Sequence, residues 1–248
     1  MKDSLFSIKI DGKDIKNFIL PFKDIQKIKV NQAVFKFSEK DKTIRTSTIN
    51  DNNTVMSILK YKTLEDSEIE NDFEFSIHDL NEFINCLSIF DDGVKLYFNE
   101  KMCEMVKGDS KIRYYGSESG IIKQGKEKLN AKVNWYTNFV FDPSENSSFI
   151  KALNVINGKH IIFTGKKSDK KITIQIRDKE LSISNSFNND FGVDEVYEDF
   201  RTVIDKEYFM SIINGSSSVY NIQIGNLLVL VRGSTPVHTV DHCIAPVV

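Results

Sequence analysis

The sequence predicts an α+β fold of two similar domains, each built from a duplicated unit of one helix followed by strands. The first observation is that a short amphipathic helix with a large apolar residue at its centre returns four times along the 248 residues. The central residues are Phe18, Phe83, Phe149 and Phe209, spaced by 65, 66 and 60 residues. The second observation is that strand-like segments and turns lie between these helices. Such a period is too long for a solenoid repeat and suits a helix plus three or four strands.

Each helix has the apolar spacing and the end signals of a short surface helix. The helix cores cover residues 15–19, 80–84, 149–153 and 208–212. Pro21 is predicted to limit the first helix to about two turns, because proline lacks the N–H that an interior position donates. The residues placed to cap the other three helices are Asp79 (with Glu82 three residues on), Ser147 or Ser148, and Asp205.

Apolar runs and alternating apolar residues predict the strands. In the first half the strands cover residues 34–37, 44–48, 55–61, 73–77, 94–98 and 112–115. In the second half they cover residues 172–176, 181–184, 193–204, 227–231 and 237–240. Between the halves, residues 116–134 are small, polar and highly charged, which is typical of a linker. We therefore predict an N-terminal domain over residues 1–115, a connector over 116–134 and a C-terminal domain over 135–248.

Composition and charge exclude several classes of protein. The formal net charge is −2, so any contact with nucleic acid must come from uneven placement of charge rather than from bulk charge. No apolar run reaches the roughly 18 residues that span a bilayer, and the N-terminus has no signal-peptide pattern. The three cysteines are widely spaced and odd in number, which indicates free thiols in a reducing compartment.

No motif in the sequence predicts an active site. Residues 165–168 (Gly-Lys-Lys-Ser) resemble the end of a phosphate-binding loop, but His160 stands where that loop needs glycine, so a hairpin turn is predicted. His238, His242 and Cys243 lie close together in the sequence without a second ligand cluster, which favours a terminal strand over a metal site. We therefore expect a protein that is not an enzyme and needs no cofactor.

Lysines beside the helix cores are the main candidates for binding. They are Lys16, Lys23, Lys151, Lys159 and Lys206. If all four helices lie on one side of the sheets, these side chains form a weakly basic surface that holds nucleic acid by its phosphates, without sequence preference. The second helix is the exception, because it carries Asn81, Glu82 and Asn85 instead. The alternative is that exposed helix faces commonly carry lysine whatever their role.

Four segments carry a resemblance to a known family. They are residues 75–88, 172–188, 114–122 and 244–246. In order, they are similar to a strand–Asp-Leu-Asn–helix segment, a hairpin of the second domain, the start of the interdomain connector and the C-terminal tail of the DNA sliding clamps. The chain resembles most closely the clamps of T-even-type bacteriophages within this proliferating cell nuclear antigen-like family. The order of the segments agrees over essentially the whole chain, and the fourfold repeat supports the resemblance.

The resemblance implies a DNA-clamp fold, with the helices on one face and antiparallel sheet on the other. Three copies would close head-to-tail into a homotrimeric ring, which removes exposed sheet edges. The edge strands expected to meet are residues 111–115 and 193–200. The expected interface residues are Lys111, Arg113 and Tyr115 on the first strand and Glu195, Tyr197 and Glu198 on the second. Opposite charges favour this pairing and disfavour self-pairing of either edge.

The implied function is topological and needs no chemistry. The ring would encircle double-stranded DNA and tether the replicative DNA polymerase, so that a dissociated polymerase rebinds at high effective concentration. An ATP-driven clamp loader would open the ring, and partners would insert apolar tail peptides into a pocket. The residues expected at the rim of this pocket are Ile121, Ile122, Ala245 and Pro246. The implied location is the cytoplasm of an infected bacterial host.

Two alternatives stay open from the sequence. One is a monomeric processivity factor of the same fold that holds DNA on an open basic face. The other is a viral scaffolding protein that uses duplicated β-rich domains only for assembly. Salt-sensitive, sequence-independent DNA binding separates both DNA-binding proteins from the scaffold, and ring closure separates the clamp from the monomer.

Overall fold

Helices and antiparallel sheets are combined in both halves of the chain, which confirms the α+β fold class. The computed structural model describes residues 6–9, 12–62, 71–90, 93–128, 132–178 and 185–247. The chain divides into a first unit of Met1–Asp51, Met56–Lys128 and Thr235–Val240, and a second unit of Asn52–Val55, Leu129–Ser234 and Asp241–Val248. The main division falls inside the predicted connector. The domain limits at residues 115 and 135 stay predictions.

One four-stranded antiparallel sheet, a further run of four antiparallel strands and two helices make up the first unit. Its elements are β1 (Phe6–Lys9), α1 (Gly12–Lys27), β2 (Ala33–Ser38), β3 (Thr43–Ile49), β4 (Val55–Lys62), β5 (Phe73–Ile77), α2 (Leu80–Ser88), β6 (Lys95–Phe98), β7 (Met102–Lys107) and β8 (Ser110–Tyr115), followed by a 3-10 turn at Ser119–Ile121. The strand orders are β1-β6-β7-β8 and β5-β2-β3-β4. Phenylalanines dominate the core: Phe35, Phe75 and Phe83 are fully buried.

The second unit repeats this plan. Its elements are β9 (Trp135–Phe141), α3 (Ser147–Val155), β10 (His160–Gly165), β11 (Lys171–Arg177), β12 (Phe187–Gly192), β13 (Phe200–Asp205), α4 (Lys206–Ile213), β14 (Tyr220–Gly225), β15 (Val229–Ser234) and β16 (His238–Ile244). The strand orders are β12-β11-β10-β13 and β16-β15-β14-β9, and β16 begins in the first unit. Phe149, Phe163 and Phe209 are fully buried here.

The predicted end of the first helix at Pro21 is wrong, because α1 runs on to Lys27. Beyond the proline, Phe22 and Ile25 are completely buried, and the Phe22 ring stacks on Phe35 at 4.8 Å. An interior proline costs about 3 kcal/mol, whereas each large apolar side chain that is fully buried contributes about 1.5–3 kcal/mol. The two buried side chains therefore offset the proline.

The caps of two helices are confirmed. The Asp79 carboxylate accepts a hydrogen bond from the Glu82 N–H (2.9 Å), and the Asp205 carboxylate accepts one from the Glu207 N–H (2.7 Å). The predicted serine caps of α3 are wrong, because the serines are the first helical residues and Asn146 is the N-cap. These contacts hold the starts of α2 and α4 at the ends of the strands that precede them.

The predicted strand over residues 193–204 is wrong in its first half, and with it the predicted edge strand over 193–200. Residues 193–199 form no strand, and β13 begins at Phe200. Part of the segment lies along β9, where the Tyr197 N–H donates to the Tyr136 carbonyl (2.9 Å). β13 is itself one edge of this sheet. The other edge is β12, whose Asn- and Asp-rich sequence gives a weak strand signal but pairs with the isoleucines of β11.

Most other predicted strands lie within two residues of observed ones. The sequence pattern does not indicate β1, β7, β9 or β14, and in β7 the buried Glu104 interrupts the apolar run. The predicted run over 227–231 begins too early, because Leu227 lies exposed in the turn before β15. The turn at residues 165–168 is confirmed between β10 and β11. The predicted strand over 181–184 lies outside the described residues.

Candidate nucleic-acid and subunit interfaces

The two helices of the first unit lie side by side and present their polar faces to solvent. Phe18 on α1 and Phe83 on α2 are completely buried. The seam is closed by neutral polar groups: the Gln26 amide donates to the Asn81 side chain. Among the described side chains of the two helices, the exposed ones are Lys23 and Lys27 on α1, and Asn81, Glu82, Asn85 and Ser88 on α2. In the described part of the first unit, both exposed helix lysines, Lys23 and Lys27, therefore lie on α1.

A lysine closes the corresponding seam in the second unit. Lys206, the first residue of α4, donates from its ammonium group to the carbonyls of Leu153 (3.1 Å) and Ile156 (2.7 Å) at the end of α3. The cation thus satisfies carbonyls that a helix end leaves without intrahelical partners. Burial lowers the pKa of Lys206, and the neighbouring Asp205 opposes that shift.

The structure sorts the five candidate lysines into three groups. Lys23, Lys151 and Lys159 expose their side chains and contact no carboxylate within the described residues. Lys206 is engaged at the α3–α4 seam, so fewer of its N–H groups face solvent. Lys16 lies in α1, but its side chain is outside the described part. A shared DNA-binding role for these lysines stays a prediction.

One uncovered sheet edge carries two organised cations. On β8, Lys111 and Arg113 point to the same carboxylate, that of Glu104 on β7, at 2.7 and 2.8 Å. Glu104 is only 7% exposed. The hydrogen bond from Lys111, with that from Arg113, lowers the pKa of Glu104 against the opposing effect of burial. Tyr115 at the end of the strand is 63% exposed.

The second uncovered edge carries an organised acid that is not among the predicted site residues. On β12, the Asp190 carboxylate accepts from the Thr173 hydroxyl (2.7 Å) and from the Lys171 ammonium (3.0 Å), both on β11. These bonds, that of Thr173 first, lower the pKa of Asp190. Only the sheet register places Asp190 opposite Thr173, so no pattern within residues 187–192 alone could identify it.

Three other outer strands, β5, β13 and β9, are covered by neighbouring backbone. The Ser76 carbonyl on β5 accepts from the Ser117 N–H (3.0 Å), and the Val203 carbonyl on β13 accepts from the Val247 N–H (2.8 Å). On β9, residues 195–197 take this place. Within the described residues, β8 and β12 receive no such backbone hydrogen bond on their outer sides. Unpaired edges of this kind are available to another chain.

Glu195, Tyr197 and Glu198 expose their side chains from the segment beside β9 rather than from a strand. The Thr137 hydroxyl donates to the Glu195 carbonyl (2.8 Å), which fixes the backbone of this segment. The three residues are therefore available for contact, but not as members of a pairing edge.

The last part of the connector lies against the first unit as a strap, residues 123–128. The Gly125 N–H donates to the Ser47 carbonyl (3.0 Å), and the Ser47 hydroxyl donates to the Lys126 carbonyl (2.7 Å). The Glu127 carboxylate accepts from the Lys36 ammonium on β2 (2.6 Å). A cavity of about 470 Å³ lies here, with strap residues Glu127 and Lys128 among those lining it.

None of the four predicted pocket-rim residues lines this cavity. Ile121 is 70% exposed, whereas Ile122 is buried. Ala245 belongs to the second unit, where its N–H donates to the Thr54 carbonyl (2.8 Å), and Pro246 follows it half-buried. A partner pocket at these residues stays a prediction.

Two further observations bear on chemistry. Over the described ranges, no three His, Cys, Asp or Glu side chains come together as a metal site. The Nδ1 atom of His238 lies 2.9 Å from the Thr235 hydroxyl oxygen, and burial lowers the pKa of His238.

None of the helices in the described part is long and apolar enough to cross a membrane.

Comparison with known proteins identifies the fold. No family model and no curated protein matches the sequence. A PCNA from A. fulgidus, solved with the C-terminal region of FEN-1, has a TM-score of 0.77 at 16% identity, with 98% of both chains covered. The PCNA of Thermococcus kodakaraensis has a TM-score of 0.73 at 16% identity, with 98% of this chain and 100% of that chain covered.

A PCNA2–PCNA3 complex from Sulfolobus tokodaii gives a TM-score of 0.73 at 15% identity, with 97% of this chain and 98% of that chain covered. These likenesses extend over nearly the whole chain and show that it has the PCNA-like clamp fold.

Proposed function

We propose that the protein is a sliding clamp, a DNA polymerase processivity factor that encircles duplex DNA as a ring of three copies. The observation that carries the proposal is the extent of the likeness to clamp structures, which covers 98% of both chains for the A. fulgidus PCNA. A likeness confined to one unit would indicate a shared domain in an unrelated assembly. A likeness over both units supports the proposal that copies of this chain assemble as copies of a clamp do.

In the proposed ring, β8 of one copy pairs with β12 of the next. Lys111 and Arg113 then face Asp190 across the contact, which attracts unlike edges and repels like ones. Each copy offers one edge of each kind, so the contact is head-to-tail and forms a closed ring when the rotation between copies permits. Covering both edges also removes the risk of uncontrolled strand pairing.

Asp190 replaces the acidic residues first proposed for this contact. Glu195, Tyr197 and Glu198 remain proposed neighbours of the interface, because they are exposed. Tyr115, exposed at the end of β8, is the proposed apolar contact on the other side.

The helix faces are the proposed DNA-facing surface. Lys16, Lys23, Lys151 and Lys159 would contact phosphates without reading the bases, and Lys206 would contribute less because its ammonium group closes the α3–α4 seam. A ring needs little direct affinity for DNA, since linkage is topological. The net charge of −2 is compatible with that.

We also propose that the ring tethers the replicative polymerase of a T-even-type phage in the cytoplasm of the infected cell. An ATP-driven clamp loader would open it, because a closed ring cannot pass onto DNA that has no free end. The A. fulgidus PCNA was solved with the C-terminal region of FEN-1, which supports tail peptides as the partner ligands here. The proposed contacts for such a tail are Ile121, Ile122, Ala245 and Pro246.

Absolute mass by light scattering over a concentration series tests the ring. We expect a species of three times 28.4 kDa at high concentration. A strict monomer at every concentration would overturn the ring and leave the open-face processivity factor or the viral scaffold.

Retention on DNA tests the topology. Clamp loaded onto a nicked circle by a clamp loader should resist a salt wash and leave when the circle is cut to a linear form. Equal loss from circular and linear DNA would contradict encirclement. Absence of any DNA association would favour the scaffold.

A further inference from the structure

We propose that the strap, residues 123–128, is a releasable lid over the cavity in the first unit, latched by the bond between Glu127 and Lys36. The latch itself stands on geometry alone.

The charge arrangement suits reversible release. The Lys36 ammonium lies between two carboxylates, 2.6 Å from Glu127 on the strap and 3.1 Å from Glu74 on β5. When the strap lifts, Lys36 keeps Glu74 as its partner, and Glu127, already 65% exposed in its side chain, passes fully into water. Neither charge is left buried and unpaired, which is the situation that makes breaking an ion pair costly.

The backbone of the strap is closely fitted but weakly anchored. Gly125 lies so near β3 that an added Cβ would come 2.7 Å from the Ser47 hydroxyl oxygen and 2.8 Å from the Thr48 carbonyl oxygen. Within the strap, Gly125 is half-buried and the other five residues are exposed. A segment held by a few hydrogen bonds and no buried apolar side chain belongs to the low-stability part of a fold.

Lys123 marks the fixed end of the strap. Its ammonium group donates to the carbonyls of Asn50 (3.0 Å) and Asp51 (2.9 Å). Gln124 is also held, because it pairs with Thr48 on β3. Movement is therefore expected from Gly125 onward, the position that combines close contact and backbone freedom.

Acid and salt should both weaken the latch. The hydrogen bond from Lys36 lowers the pKa of Glu127, and Arg45 and Lys128 act in the same direction. The other charged groups facing the cavity are Glu74 and Asp72. Because the pKa is lowered in the closed state, the latch is complete above the ordinary pKa of glutamate and is lost as pH falls through the lowered value. Salt screens the same exposed pair.

The test uses the full-length protein and a matched pair of variants, Lys36→Gln and Glu74→Gln. Hydrogen exchange at the Gly125 amide and trypsin cleavage after Lys126 and Lys128 report opening, and both variants leave the strap sequence unchanged. We expect Lys36→Gln to speed both processes by about two- to fivefold, the range of an exposed ion pair. Glu74→Gln should leave the latch closed and both rates unchanged.

A steric variant separates the latch from general loosening. Gly125→Ala should open the strap more strongly, because the added methyl group has no room, and should remove most of the dependence on pH and salt. Exchange in β11 serves as the folding control. Equal protection of the Gly125 amide in the wild type and Lys36→Gln, together with no loss of protection on acidification once exchange is corrected for the intrinsic rate at each pH, would overturn the latch. Loss of trimer or of DNA retention, with these rates as expected, would overturn only the proposed function.

Discussion

The two units share an architecture but use their charges in opposite ways. The first unit closes its helix seam with neutral Gln26 and Asn81 and places cations on its uncovered edge β8. The second unit closes its seam with Lys206 and places Asp190 on its uncovered edge β12. The position of a lysine in an internal repeat therefore does not predict its role. The two units have the same architecture, but different polar groups at their helix seams need hydrogen-bond partners.

The two edges also differ in how firmly their charges are held. Lys111 and Arg113 are both fixed by Glu104, which is nearly buried, whereas Asp190, itself exposed, is held by half-buried Thr173 and exposed Lys171. The cations of β8 are thus anchored to a nearly buried carboxylate, whereas Asp190 of β12 is held only at the surface. Stability should depend on the first edge, and assembly on both.

Reversing the cationic edge should have the largest effect. In Lys111→Glu with Arg113→Glu, two like charges face Asp190, and we expect the concentration at which the oligomer half-dissociates to rise roughly a hundredfold. Light scattering measures it. Adding Asp190→Lys should restore much of the assembly, whereas Glu207→Lys, on an exposed helix position, serves as the control. No rescue by Asp190→Lys would separate Asp190 from this contact.

Removing the anchor should lower stability next. Glu104→Gln removes the negative charge and keeps only one acceptor oxygen for the two cations at a nearly buried site, so we expect about 1–3 kcal/mol less free energy of unfolding. Thermal or denaturant unfolding of the monomer at low concentration measures it. Asp190→Asn is the matched variant on the other edge and should leave stability almost unchanged. Equal destabilisation by the two variants would contradict the asymmetry.

The seam lysine should matter for stability and not for DNA. Lys206→Met loses the two hydrogen bonds to the end of α3, and we expect about 1–2 kcal/mol of destabilisation. Lys151→Met should leave stability unchanged but reduce the slope of log DNA affinity against log salt by about one. If Lys206→Met changes the salt slope as much as Lys151→Met does, Lys206 contacts DNA and the prediction is wrong.

Acidification should weaken assembly mildly. The pKa of Asp190 and that of Glu104 are both lowered in the folded chain. Their contributions are therefore complete above the ordinary carboxylate range and are lost as pH falls through the lowered values. Light scattering across acidic pH, with Asp190→Asn as the variant in which part of this dependence disappears, measures the effect. An assembly that strengthens on acidification would contradict the charge pairing.

The fold class follows from local pattern in this chain. Phe18, Phe83, Phe149 and Phe209 mark the four helices at a regular spacing, and Asp79 and Asp205 mark two helix starts, because apolar periodicity and capping are properties of a few consecutive residues. Alternation identifies β11 for the same reason. These signals need no knowledge of what lies across the sheet.

Tertiary structure decided what depends on partners far along the chain. Burial of Phe22 and Ile25 carries α1 past Pro21, and pairing with β11 makes a strand of Asn- and Asp-rich β12 in place of residues 193–199. Glu104, Asp190 and the two partners of Lys206 acquire their roles only through register and packing. Local sequence pattern is thus enough to predict where the helices and most strands form, whereas contact between distant segments sets which edges stay open and which charges are already paired.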